Sequence, residues 1–301
     1  MRITSNMLAA QQMTALQSNI SLLQQAQDQV TSGKRINQAS DDPAASMSIM
    51  TSGSALRALD QYQTNVKRAS DRVNLEDQVL SQLGDLVTRA KELAVAQSSA
   101  TASDSTRSIA NDEVKQLFQQ IVDLGNTKFG NEYLFGGDQS DTAPFASTGS
   151  AGTLDYATTT PQGQRSITIG DGQTVAPTHD GKQVFIDTGV LDAVKDLAHA
   201  LDPSSPTYGN TGIQDAMSKL DSSFDSVQGV VGDTGAMGTR LDTAGQNLDA
   251  LKSNLTTFKS DLQDVDVESA MTELTNRQVA YQAALLATAK VTGLSLVDYL
   301  K

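Results

Sequence analysis

The sequence predicts a mainly α protein: a long antiparallel helical rod, or coiled coil, formed by both chain ends together, with a small β-rich insert domain. Three observations carry this. Apolar residues recur on alternating three- and four-residue steps near both ends, the pattern of helices that pack along one narrow stripe. Aromatic content is only 4% and Trp is absent, whereas thick cores draw much of their buried area from aromatic side chains. From about Phe129 to Asp187 the texture changes to short β-branched and aromatic runs between Gly, Asp and Pro.

The first helix is expected to end near Ser32. Met13, Leu16, Ile20, Leu23 and Val30 form its seam, with Gln27 in one polar slot. Gly33 is a stop signal, and "SDDPAA" restarts the chain with Asp42 as N-cap and Pro43 at the first helical position. A second helix over Pro43 to Gln97 carries Leu59, Tyr62, Val66, Ala69, Val73, Glu76, Leu80, Leu83, Val87, Ala90 and Ala94 on its seam, with an interruption or bend expected at Gly53. After the loop "SSATASDSTRS", a third helix places Ile109, Leu117, Ile121 and Leu124 on one face.

"EYLFGG", "TLDYATTT", "QRSITIGDGQTV" and "KQVFIDTG" read as short strands and turns, and "GDGQ" (170–173) as a hairpin turn. "VLDAVKDLAHALD" is helical, and helix resumes at "IQDAMSKLDSSFDSV". Gly229, Gly232, Gly235 and Gly238 argue against helix where they stand. A long helical run follows, with Leu241, Ala244, Leu248, Leu251, Leu255, Phe258, Leu262 and Val265 as its seam. Near Asp266 the phase slips and restarts with Val267, Met271, Leu274, Tyr281 and Leu285. The domain reading is a terminal coiled-coil domain (1–35 with 268–301), a helical rod domain (36–140 with 188–267) and a β-rich surface insert (141–187).

The net charge of -13 argues against nucleic acid and anionic membrane surfaces as partners. Cysteine is absent, which removes disulfides and thiolate chemistry. "MRITSNMLAAQQ" has neither the apolar run nor the cleavage site of a secretory signal peptide. His179 and His199 stand outside metal-ligand spacings and read as surface residues. "DVDVE" lacks the central Gly and the frame of a calcium loop, and its carboxylates diverge if the segment is helical. Asp41 and Asp42 serve as caps, and "VTRAKELAVA" as a solvated helix face. No nucleophile, base and oxyanion set can be assembled, so the chain is not expected to be an enzyme, and no cofactor or metal is implied.

"SGKRINQASDDPAASMSI", "VTRAKELAVAQSSATASDSTRSIANDEVKQLFQQI" and "NEYLFGGDQSDTAPF", in that order, resemble the flagellin superfamily of bacterial flagella over roughly 1–145 and 210–301. Flagellins themselves typically carry Asp-Asp-Ala-Ala-Gly after the "RIN" element. Here "SDDPAAS", "YLFGGDQSDTAPF" and the terminal "LSLVDYL" are more similar to the branch that joins hook to filament.

The resemblance implies an adaptor ring between the first hook-associated protein and the flagellin filament, with a filament flagellin as the alternative. Implied partners are further copies of the chain, the first hook-associated protein, flagellin, and a flagellar type III export chaperone that holds the C-terminal helix. The implied location is the extracellular flagellum, reached without a cleaved signal. A cytoplasmic coiled-coil adaptor would leave the ordered motif series and the apolar tail unexplained, and an enzyme housed in the insert would lack a catalytic set.

Eight apolar residues crowd the last seventeen positions, from Leu285 to Leu300, although free termini are ordinarily polar and frayed. The candidate assembly residues are Ile3, Met7, Met13, Leu16, Ile20, Leu23, Leu274, Tyr281, Leu285, Leu286, Leu294, Leu296 and Leu300. Brief proteolysis of the dilute chain is expected to trim both ends and leave a resistant core of roughly 40–265. Ends as resistant as that core would contradict this.

Overall fold

The computed structural model describes residues 5–99, 102–147, 154, 156–158 and 163–299. They form α1 (Ser5–Ser32), α2 (Pro43–Gln97), α3 (Asp104–Gly125), six short strands, α4 (Val190–Leu201), α5 (Asn210–Gln263) and α6 (Val267–Tyr299). The mainly α class is as predicted. There are two compact units: Met1–Ala58 with Ala250–Lys301, and Leu59–Asp249.

In the larger unit, α2 and α5 run antiparallel. Val73 lies 3.7 Å from the position of a Cβ on Gly238, and Val66 lies as far from one on Gly245. Lys91 pairs with Asp221 and Gln63 with Asp249, so the number falls on one helix as it rises on the other. Every expected seam residue of α2 from Leu59 to Ala94 is buried or, for Tyr62, half-buried. Gly53 does not interrupt α2, which is one helix of 55 residues.

α5 likewise runs as one helix of 54 residues through all four suspect glycines. Its seam starts well before Leu241: Ile213, Ala216, Leu220, Ser223, Val227, Val230, Thr234, Met237, Leu241, Ala244 and Leu248 keep the three–four rhythm, all buried or half-buried. Ser223 and Thr234 hid it. Each occupies a seam position by donating its hydroxyl to a carbonyl of its own helix, Leu220 O and Val230 O, so neither hydroxyl is left without a partner.

α3 starts with Ser103 as N-cap, its side chain accepting from Thr106 N. Its buried face is Ala110, Val114, Leu117, Phe118, Ile121 and Val122. Ile109, expected on that face, is exposed, because the stripe runs through the smaller Ala110. α3 packs on α4, and both contribute to a core with Leu80, Leu83, Val87, Ile213 and Leu220.

The strands form three separate antiparallel hairpins: β1 (Lys128–Phe129) with β2 (Glu132–Tyr133), β3 (Phe145–Ser147) with β4 (Tyr156–Thr158), and β5 (Ile167–Gly170) with β6 (Gln173–Val175). Gly170 pairs with Gln173, so "GDGQ" is the expected hairpin turn. "KQVFIDTG" is not a strand. Lys182–Ile186 is a π-helical turn, closed by Asp187 N donating to Lys182 O. Its period points Val184 and Phe185 inward, where alternation would have separated them. The Phe185 ring centroid lies 5.2 Å from that of Phe135 and 5.4 Å from that of Phe145, edge to face. Phe145 sits so close to Gly125 that an added Cβ would stand 2.6 Å from its ring, which only glycine permits.

Two buried charges cross-link this unit. Glu76, the charged lapse in the α2 seam, is 0% exposed. It accepts the His179 backbone N–H at 3.1 Å and meets the His179 ring Nδ1 at 2.8 Å. His179 is thus a buried-carboxylate partner, not the free surface residue expected. His199, on α4, is exposed as expected. Arg72 stacks over Phe129 and bonds Glu132 at 2.8 Å. Glu132 also accepts from Arg165, and the two guanidiniums hold its carboxyl below the usual range.

The hydrogen bond to Glu76 raises the His179 pKa above its ordinary value, against the opposing effect of burial. A pKa raised on folding means that the native state holds the proton more tightly. The associated stability is complete below the unfolded pKa of about 6.5 and is lost as pH rises through the folded pKa. The melting temperature of the purified chain should therefore fall as pH climbs from about 6.5, and H179Q should flatten that slope. Parallel pH profiles for the two proteins would show that the pair contributes no linkage.

Candidate assembly surface

The terminal unit is held at one joint, which the "SGKRINQASDDPAAS" stretch builds. Gly33 ends α1 at φ 69, in the left-handed region that favours glycine. Arg35 N then donates to Gln263 O at 2.7 Å, and Val265 N donates to Gly33 O at 3.0 Å. The Arg35 guanidinium reaches the Leu262 carbonyl at 2.8 Å, capping the C-terminal end of α5 with positive charge. Gln29 donates to Arg35 O, and Ile36 is buried. Asp41 accepts from the Asn37 and Gln38 amides, while Asp42 accepts from Ala45 N at 3.0 Å. The cap reading is thereby borne out for Asp42, whereas Asp41 closes the turn that precedes α2 instead of capping it.

The phase slip near Asp266 is a true break between α5 and α6. Asp264 accepts from the Ser260 hydroxyl. Asp266 caps α6 by accepting from Glu268 N and the Ser269 hydroxyl. The carboxylates of "DVDVE" therefore do not ride on a continuous helix. This joint sets the last turn of α1 beside the first turn of α6, and the two helices pack together. They run antiparallel, as predicted for the two ends.

The seam on α6 is Ala270, Leu274, Arg277, Tyr281, Ala284 and Thr288, of which Ala270 is buried and the others half-buried. On α1, Leu16, Ile20, Leu23 and Val30 are half-buried. The fully buried residue there is Ala26, next to the expected slot at Gln27, which is exposed. Other candidate residues lie off the seam. Leu285 is 41% and Leu286 68% exposed, and Met7, Met13, Val267 and Met271 are also exposed. Leu285 was expected to continue the Tyr281 register, but Ala284 takes that place. Ile3 and Leu300, and the side chains of Leu294 and Leu296, lie outside the described residues.

Periodicity put Leu251 and Phe258 on the α5 seam and did not single out Met47 and Met50 on α2 or Val279 on α6, yet all five belong to this exposed surface. Among the described residues, eleven of the thirteen exposed large apolar side chains belong to the terminal unit, and only Val95 and Ile109 to the other. Such a concentration of uncovered apolar surface marks an interaction site. Chemically it offers apolar area for burial.

Comparison with known proteins identifies the family. The bacterial flagellin N-terminal helical region matches residues 3–140, and the bacterial flagellin C-terminal helical region matches residues 217–300. The chain belongs to the flagellin superfamily.

Within it, the chain is 27% identical over 323 aligned positions to flagellar hook-associated protein 3 of Salmonella typhimurium, covering 98% of each. It is 24% identical over 285 positions to the flagellin of Halalkalibacterium halodurans, covering 94% of this chain and 93% of that one. In fold it is similar to a putative flagellar hook-associated protein from Vibrio parahaemolyticus, with TM-score 0.66 and 19% identity over 74% of this chain and 100% of the other.

The joint can be tested alone. Arg35 is partly exposed, so its charge-assisted bond to Leu262 O is assigned about 1 kcal/mol. R35A should speed amide exchange around 262–270 several-fold and leave melting of the larger unit unchanged. Unaltered exchange there would show that the backbone bonds suffice.

Proposed function

We propose that this chain is a structural subunit of the bacterial flagellum that joins hook to filament, rather than an enzyme. Copies form an adaptor ring with the first hook-associated protein on one side and flagellin on the other. The supporting observation is the crowding of exposed apolar side chains into the terminal unit, a surface suited to cover by neighbouring subunits. In this reading residues 1–35 with 268–301 make the inner assembly domain, 36–140 with 188–267 the helical domain, and 141–187 the β-rich insert. Buried Phe145, Val184 and Phe185 root the insert in the core.

The location is extracellular, after export by the flagellar type III apparatus without a cleaved signal. Among the described residues no helix is long and apolar enough to cross a membrane. Before export a chaperone covers α6, whose exposed Val279, Leu285 and Leu286 suit a groove that takes an amphipathic helix. Near end-to-end alignment with a flagellin keeps a filament subunit as the second reading.

Deleting the gene should leave hooks without filaments and release flagellin into the medium. Complementation with L286D should fail, although the purified variant melts as the parent does. In the monomer the new carboxylate stays in water. In the ring it replaces a buried Leu worth about 1.5–3 kcal/mol and adds a desolvation cost of several more, at every subunit. Filaments on the deletion strain would reject the junction role, and filaments with L286D would remove α6 from the interface.

A further inference from the structure

The terminal unit carries a chemical liability that the other lacks. Met47 and Met50 are 72% and 71% exposed, and Met7, Met13 and Met271 are each more than half exposed. All five belong to the terminal unit. The described methionines of the larger unit, Met217 and Met237, are half-buried, with Met217 packed against the core. Met47 and Met50 stand one turn apart on α2 and so present two thioethers on one face. The chain has no cysteine to intercept an oxidant first.

We propose that these five methionines are an oxidative modification site, at which peroxide switches the unassembled subunit to a form that cannot join its neighbours. The inference rests on the assembly reading given above. Hydrogen peroxide transfers one oxygen to the thioether sulfur. The sulfur is oxidised by two electrons to the sulfoxide, the O–O bond breaks, and the peroxide is reduced to one molecule of water. The product is a polar, hydrogen-bond-accepting group on a flexible side chain that had been apolar. In water this costs the free subunit nothing. Buried against a neighbour it leaves an unsatisfied acceptor at several places per interface. Methionine sulfoxide reductase reverses the change, and assembly itself shields the sulfurs, so the sensitive species is the subunit before incorporation.

The test compares the parent with M7L/M13L/M47L/M50L/M271L, whose side chains keep the apolar surface without sulfur. Each is produced in cells lacking both the native gene and methionine sulfoxide reductases, with and without sublethal hydrogen peroxide. Flagellin is identical in the two strains, so its own oxidation cancels. Filament number with the parent should fall several-fold under peroxide, whereas the leucine variant should keep most of its filaments.

Peptide mass spectrometry of the purified parent should show oxygen gained at these five sites well before Met217 and Met237, with an unchanged melting temperature. Equal filament loss in both strains, no loss in either, or equal oxidation at Met217 and Met237 would overturn the proposal. A third variant, M47D/M50D, is followed without peroxide. If it assembles normally, the α2 face lies outside the interface and the assembly reading fails there. If it fails while fully oxidised parent assembles, only the oxidative switch is wrong.

Discussion

A pair of α-helices can bury one stripe of each partner, because residues three and four apart share a face and the rest of the circumference points elsewhere. Everything in this protein follows from how that limit is met. α2 and α5 each carry eleven seam residues on an unbroken three–four rhythm, enough to hold two helices of more than fifty residues with few aromatic side chains. What differs between the two units is the treatment of the flanks.

In the larger unit the flanks are covered. α3, α4 and the π-helical turn bring Val114, Ile121, Leu191, Leu197 and Phe185 into one core with the α2–α5 seam. Even the charged lapse at Glu76 has a partner in His179. In the terminal unit, α1 and α6 share a half-buried seam, and the described residues supply no further layer. Each Leu left uncovered withholds about 1.5–3 kcal/mol from the folded monomer, which becomes available when a neighbour covers it. On the proposed reading the polypeptide separates stability, vested in one unit, from association, vested in the other. The joint at Gly33, Arg35 and Val265 holds the ends together through backbone and charge-assisted bonds that need little apolar area.

The helices were largely legible in the sequence because their signals are local and redundant. Pro43 and Asp42 start α2 and Gly33 stops α1, both where composition places them. Legibility failed where a side chain's role depends on a distant partner. Ser223 and Thr234 conceal the first half of the α5 seam, since nothing in their identity reveals a hydroxyl already satisfied by its own helix. Val184, Phe185 and Ile186 are β-branched or aromatic, so composition suggested a strand. Only packing on Phe135 and Phe145 selects the π-helical turn.

The candidate surface was half legible. Periodicity located Leu274 and Tyr281, yet it could not place Leu285, because small Ala284 occupies the seam instead. Leu251 and Phe258 were placed on the α5 seam by periodicity yet stand exposed in the terminal unit, and Met47 and Met50 fall outside the three–four seam read on α2. Arg35 carries no local sign of its role, because its bond to Leu262 O spans most of the chain.

The central claim is that assembly covers the terminal unit selectively. Hydroxyl-radical footprinting of the free chain and of the chain within isolated hook–filament junctions measures this directly, side chain by side chain. Labelling of Leu251, Phe258, Met271 and Leu286 should fall at least several-fold on assembly, while that of Ile109 and His199 changes little. Undiminished labelling of the first group, or protection confined to the second, would contradict the account.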